Sequence, residues 1–182
     1  MLQKIKVSAL NITNVRGLVL GALLVALYVV LGFFKIYITP DNRLSLTFIA
    51  MVVAGYVMGP VPAMVIGGLG DLVGFMIFPT GGAYFPGFTI SAALSGLIYG
   101  LCLYKRPLKQ LIWWIILSRV LITVGISMFL NTVWNAILYQ KAVQFIVIAR
   151  VVKALVALPF QAAISFALVL LLEKTGIRKQ YQ

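Results

Sequence analysis

Gly17-Leu-Val-Leu-Gly-Ala-Leu-Leu-Val-Ala-Leu-Tyr-Val-Val-Leu-Gly-Phe-Phe34 is an unbroken run of 18 uncharged residues. A helix rises about 1.5 Å per residue and the hydrocarbon layer is about 30 Å thick, so about 20 residues cross it. Backbone groups in lipid must be satisfied within their own segment, which selects helices over open strands. The stretch therefore reads as a membrane-crossing helix. Its exit, Lys35-Ile-Tyr-Ile-Thr-Pro40, lacks a small-residue cleavage pattern, so it is read as a retained first helix and not a signal peptide. Working outward, Leu72 to Tyr104 is a longer uncharged run broken by turn residues. The 182 residues are 63% hydrophobic and 10% charged, with mean hydropathy +1.09, more apolar surface than a water-soluble core of this size needs.

Six spans fit the apolar runs, at about 15–34, 44–59, 61–78, 87–104, 110–138 and 143–172. The expected fold class is all-α: a polytopic membrane protein, a bundle of six transmembrane helices forming one domain over 1–182. Thr39-Pro40-Asp41-Asn42 and Gly59-Pro60-Val61-Pro62 are turns, and Lys105-Arg106-Pro107 ends the fourth span. The second span is short and interrupted by Gly55, which is tolerated where a helix faces protein and not lipid. Pro159 in the sixth removes one donor and loosens the carbonyl near Leu155.

Loop charge sets orientation. Lys4, Lys6, Arg16, Lys105, Arg106, Lys109, Lys174, Arg178 and Lys179 fall on the side of the termini, against Lys35, Arg43 and Lys141 opposite. The positive-inside rule then places both termini in the cytoplasm of a multi-pass protein of the cell membrane. The net charge of +12 is explained by this distribution in the lipid bilayer, and no nucleic acid partner is implied. With no His and one Cys, a structural zinc site is not expected. The sequence carries no phosphate-binding loop and no Ser/His/Asp or paired-carboxylate set, so neither catalysis nor a cofactor is expected.

Arg150 and Lys153 share one helix face inside a stretch otherwise uncharged from Ala142 to Leu172, and Arg119 lies in the preceding span. A cation near the bilayer centre costs roughly 2.5–3.5 kcal/mol on insertion scales. Of the three acids in the chain, Asp71 alone lies deep in an apolar span. One carboxylate cannot neutralise three cations, so an anionic small molecule is the expected partner. Arg150 and Lys153 read as a clamp for carboxylate or phosphate; the plainer reading is snorkelling to the interface, or pairing with Asp71.

Asn131 and Asn135 stand one turn apart with Trp134 beside them, a pairing suited to a flat, hydrogen-bonding heterocycle. An interfacial aromatic belt is the alternative. Asp71 is read either as an acceptor for that heterocycle or as the partner of Arg119. Tyr84, Phe85 and Phe88 form an aromatic lid made mobile by Gly81 and Gly82, or an interfacial anchor. Arg43 in the first outer loop adds a further cation for an anionic ligand, or simply sits in water. Small residues at Gly17, Gly21, Ala22 and Ala26 suit close approach by a partner helix.

With these residues in view, the chain resembles the substrate-binding (S) components of energy-coupling factor vitamin transporters, and within them the folate-specific type. The carrying segments are Ala22-Leu-Leu-Val-Ala26, Arg43-Leu-Ser-Leu-Thr-Phe48, Gly67-Gly-Leu-Gly-Asp71, Pro86-Gly-Phe-Thr-Ile90, Gly96-Leu-Ile-Tyr-Gly100, Leu130-Asn-Thr-Val-Trp134 and Arg150-Val-Val-Lys153. The resemblance implies a six-helix subunit that binds folate from outside without energy input. It implies a transmembrane coupling subunit and two ATPases as partners, with Ala22 and Ala26 on the docking face, and a subunit that topples to carry ligand inward. The cations would meet the two glutamate carboxylates, and Trp134, Asn131 and Asp71 the pterin. An S component for another anionic vitamin, a proton-coupled secondary carrier using Asp71, and a membrane scaffold are the rival readings.

Overall fold

The computed structural model describes residues 14–39, 42–78, 84–139 and 143–175; within these, side chains are not described at 35–44, 108–109, 138–139 and 143–156. The helices are α1 (Val15–Phe33), α2 (Phe48–Val57), α3 (Pro60–Ile77), α4 (Pro86–Leu103), α5 (Leu108–Leu121), α6 (Asn131–Tyr139) and α7 (Val143–Lys174). A π-helical segment, Ile122–Leu130, joins α5 to α6 in one continuous rod. Among the described residues, five helical stretches are long and apolar enough to cross a membrane, and α2 is a shorter apolar helix. The expected bundle of six helical passes is the architecture found.

Between α1 and α2 the structure departs from the simple turn read from sequence. Lys35–Thr39 (β1) and Asn42–Ser45 (β2) pair as an antiparallel hairpin, with Lys35 opposite Ser45 and Thr39 opposite Asn42. Strand alternation in Lys-Ile-Tyr-Ile-Thr on one side and Asn-Arg-Leu-Ser on the other supports this pairing. The hairpin shortens the second pass. Ten residues of α2 rise only about 15 Å, half the hydrocarbon thickness.

A helix that short survives in lipid only if other helices shield its ends. Phe48, Ala50, Met51, Val52, Ala54, Gly55, Tyr56 and Val57 are all buried, whereas α1 buries only Gly17, Leu24 and Val29. Helix α2 is thus the buried axis of the bundle, and α1 lies on its outside. Small residues let the surrounding helices close on α2. A Cβ at Gly96 would lie 2.1 Å from the carbonyl oxygen of Ala63, and one at Gly100 2.2 Å from Cα of Pro60. The segment Gly96-Leu-Ile-Tyr-Gly100 is therefore the face by which α4 packs on the start of α3. Gly59, at φ 97°, makes the tight turn from α2 into α3 in a region that side-chain-bearing residues avoid.

Side-chain contacts fix which ends lie together. Phe33 meets Phe78 edge-on, and Thr89 meets Asp71, so the ends of α1 and α3 and the start of α4 share the hairpin end. At the opposite end the Tyr56 hydroxyl donates to the Glu173 carboxylate, bringing the close of α7 to the close of α2. The first and last described helices therefore begin and end on one side of the bundle.

Candidate functional site

The start of α4 organises the hairpin end. Pro86 and Gly87 occupy its first turn, where a missing proline N–H costs nothing. Two lobes flank this turn. In the first, the Thr89 hydroxyl donates to Oδ2 of Asp71 at 2.8 Å, and the Tyr84 hydroxyl lies 2.8 Å from the same Thr89 oxygen. Thr89 has one proton, already given to Asp71, so Tyr84 is the donor in the second bond. Phe75 of α3 packs on Tyr84 at 5.3 Å between ring centroids. A directed chain, Tyr84 to Thr89 to Asp71, thus ties the segment before α4 back onto α3.

In the second lobe the indole N–H of Trp134 donates to the Ser91 hydroxyl at 3.2 Å. Phe85 tilts against Trp134 at 5.6 Å and meets Phe88 edge-on at 5.9 Å between ring centroids. Gly87 makes room for this lobe, because a Cβ there would sit 2.8 Å from Cδ2 of Trp134 and 2.3 Å from Cε1 of Phe85. Asn131, one turn before Asn135 on α6, accepts the Asn135 amide N–H at its backbone carbonyl. Rings with an anchored indole and nearby amides can stack on and hydrogen-bond a flat heterocycle.

Of the residues read from sequence, Tyr84, Phe85, Phe88, Asp71, Asn131 and Trp134 all come to the hairpin end. They do not all share one surface. Thr89 and Ser91 are two residues apart, about 200° around a helix of 3.6 residues per turn, so Asp71 and Trp134 stand on opposite flanks of α4. The side chains thus form two lobes, with Trp134, Phe85 and Phe88 in one and Asp71 and Tyr84 in the other. Arg150 and Lys153 lie on the first half of α7, about two and three turns from its start. Their side chains, and that of Arg43 in β2, lie outside the described residues, as do Gly81 and Gly82.

Arg119 is also corrected. Its guanidinium donates from Nη1 to Oε1 of Gln161 at 2.8 Å and from Nη2 to the Ser165 hydroxyl at 3.3 Å. It lies 4.2 Å from the Phe48 ring centroid and 5.3 Å from that of Tyr99. Tyr99 is ten residues beyond Thr89 on α4, about 15 Å along the axis, which separates Arg119 from Asp71. This cation is met by neutral amide, hydroxyl and π faces and not by Asp71, and its Nε is buried without a hydrogen-bond partner. Sequence reading passed over Ser91, and took Gly87 and Thr89 only as part of the Pro86–Ile90 segment that carries the resemblance. Hydroxyls in the first turns of an apolar span, following Pro-Gly, were the signal available.

The fold defines a polytopic helical membrane protein with an aromatic and polar cluster at one end of its bundle. Residues 16–169 match the family model described as ECF transporter, substrate-specific component. The chain belongs to that family. It is similar to the folate transporter FolT of Clostridium novyi (strain NT), 35% identical over 153 residues, covering 84% of this chain and 87% of that one. A FolT of Leuconostoc mesenteroides is 32% identical over 165 residues, covering 85% of each. Among solved structures, one described as FolT bound with folic acid matches with TM-score 0.78 at 32% identity, over 85% of this chain and 93% of that chain. The S component of a bacterial ECF transporter shares the fold, at TM-score 0.63 and 19% identity, over 87% and 94%.

Proposed function

We propose that this chain is the folate-binding subunit of an ATP-driven ECF vitamin importer, a single membrane domain with the hairpin end outside and both termini in the cytoplasm. The observation that carries the reading is the Trp134–Phe85–Phe88 lobe, seated on Gly87 and Ser91, in a family whose similar members are named for folate. Trp134 stacks on the pterin and Asn131 supplies hydrogen bonds. Arg150 and Lys153, with Arg43 from the hairpin, meet the glutamate carboxylates; their place in the sequence supports this. Asp71 acts at one remove, holding Tyr84 through Thr89.

Ala22 and Ala26 are exposed on α1, beside an apolar groove of about 170 Å³ lined by Gly17, Gly21, Met58, Pro62 and Val65. This face suits a helix of the transmembrane coupling subunit, which in turn works with two ATPases. Ala22→Leu and Ala26→Leu are expected to leave binding intact in the isolated chain and to abolish uptake in cells; normal uptake by either variant removes the docking assignment.

Isothermal titration of the purified chain with folate tests the central reading. Saturable binding that other vitamins do not compete away supports it. Exclusive binding of a different anionic vitamin transfers the subunit to that substrate. Uptake that survives loss of the ATPases and fails in Asp71→Asn marks a proton-coupled carrier instead.

A further inference from the structure

Two weakened stretches of helix lie side by side just beyond the Arg119 contacts. On one rod, three residues after Arg119, the helix passes into the π-helical segment Ile122–Leu130, where the Asn131 N–H bonds five residues back to Ile126. Nine residues is long for such a segment, since π turns usually occur singly and often at functional sites. On the other rod, Pro159 lies inside α7 and leaves the Leu155 carbonyl without its helical donor. Arg119 joins the two immediately below. It donates to Gln161, two residues past Pro159, and to Ser165, one turn further on.

Beyond these stretches, each rod carries candidate ligand residues: Asn131 and Trp134 on α6, Arg150 and Lys153 on the first half of α7. Helix α7 packs along α5, the π-helical segment and α6. Phe48 of α2 and Tyr99 of α4 hold the guanidinium from the bundle axis.

We propose that Arg119 is a positioning residue for ligand capture. It clasps α5 to α7 directly below their two hinges, so that the outer arms bearing the ligand residues open and close about one fixed pivot. Below the clasp the rods stay locked to α2 and α4. Above it, the softened helix stretches allow the arms to part for a ligand and then to hold it. The proposal rests on the folate-binding reading for what the arms grip, and on the hinge geometry alone for how they move.

Two substitutions test the hinges without disturbing packing. A Cβ at Gly125, inside the π-helical segment, would meet nothing within 4 Å, and Pro159 is exposed on α7. Gly125→Ala and Pro159→Ala therefore stiffen backbone while leaving the core alone. In stopped-flow measurements of Trp quenching by folate in nanodiscs, each is expected to slow association about fivefold or more with an unchanged or raised melting temperature. Association rates within twofold of wild type in both variants overturn the hinge. Arg119→Met is expected to speed folate dissociation about tenfold, with Arg119→Lys recovering most of the loss.

Amide hydrogen exchange needs no ligand and separates this proposal from the function it rests on. In Arg119→Met, exchange is expected to rise together across 122–139 and 143–158 and to stay unchanged across 108–118 and 166–174. A rise spread evenly over every helix, or confined to residues around 119, means that Arg119 is ordinary packing and ends the proposal. If the wild-type chain binds no folate but Arg119→Met shows the expected exchange pattern, the function is lost and the pivot kept.

Discussion

Two polar constellations among the described residues are built on opposite plans. At the hairpin end, Asp71, Thr89 and Tyr84 on one flank of α4 and Trp134, Ser91, Phe85 and Phe88 on the other form an open-ended surface, with Tyr84 42% exposed. Eight residues along α4 from Ser91, about 12 Å deeper, Arg119 is 4% exposed and enclosed by α2, α4 and α7. A polar group survives inside a membrane either by being completed within the protein or by standing where something else can complete it. Arg119 takes the first course at all but its buried Nε, which has no partner: charged hydrogen bonds contribute about 1.5–3 kcal/mol each and cation–π contacts about 0.5–2. The aromatic lobe takes the second, because its stacking faces are concentrated at the end of the bundle.

Variants that separate affinity from stability sharpen that contrast. The largest effect on affinity is expected from Arg150→Ala, a loss of roughly 2–5 kcal/mol in folate binding with little change in melting, on the scale of truncating one side of a desolvated charged pair. Unchanged affinity by calorimetry removes Arg150 from the site. Arg119→Met is expected to act on stability as well, lowering local stability across 122–139 and 143–158 by about 1.5–3 kcal/mol in amide exchange as Gln161 and Ser165 lose their buried donor. Full stability in that variant breaks the distinction between the two regions.

Trp134→Ala is expected to weaken folate by roughly 1–3 kcal/mol through lost stacking. If ligand quenching of fluorescence persists in that variant and vanishes only when Trp113 or Trp114 is replaced, the ring has been wrongly assigned. Gly87→Ala, whose new methyl drives into Phe85 and Trp134, is expected to cost about 1–3 kcal/mol in the same assay. Asp71→Asn is expected to have the smallest effect, below about 1 kcal/mol, since an amide oxygen still accepts from Thr89. An affinity loss as large as that of Trp134→Ala returns Asp71 to direct ligand contact.

Much of the molecule was legible beforehand because lipid imposes one dominant rule. A run such as Gly17–Phe34 has no stable alternative to a helix once its backbone must satisfy itself. The hairpin was harder to see: its strands are four and five residues long, below the length at which alternation stands out from an outer loop. Arg119 was misjudged for a different reason. Its partners Gln161 and Ser165 lie 42 and 46 residues away, and neutral donors and ring faces leave no charge pattern to read. Trp134 was singled out by residue type, whereas its seat on Gly87 and Ser91 depends on contacts between helices far apart in the chain.

Composition and apolar periodicity alone determined that this is a helical membrane protein, where its passes run, and that aromatic and amide groups gather near the ends of its spans. These are local properties, decided residue by residue by the cost of placing backbone and charge in hydrocarbon. Only the tertiary structure decided that the shortest pass is the buried axis, that Asp71 and Trp134 stand on opposite sides of α4, and that Arg119 clasps two rods. Those outcomes depend on which helix faces which, and in lipid that choice is made by close packing and side-chain hydrogen bonds, which hydropathy does not encode.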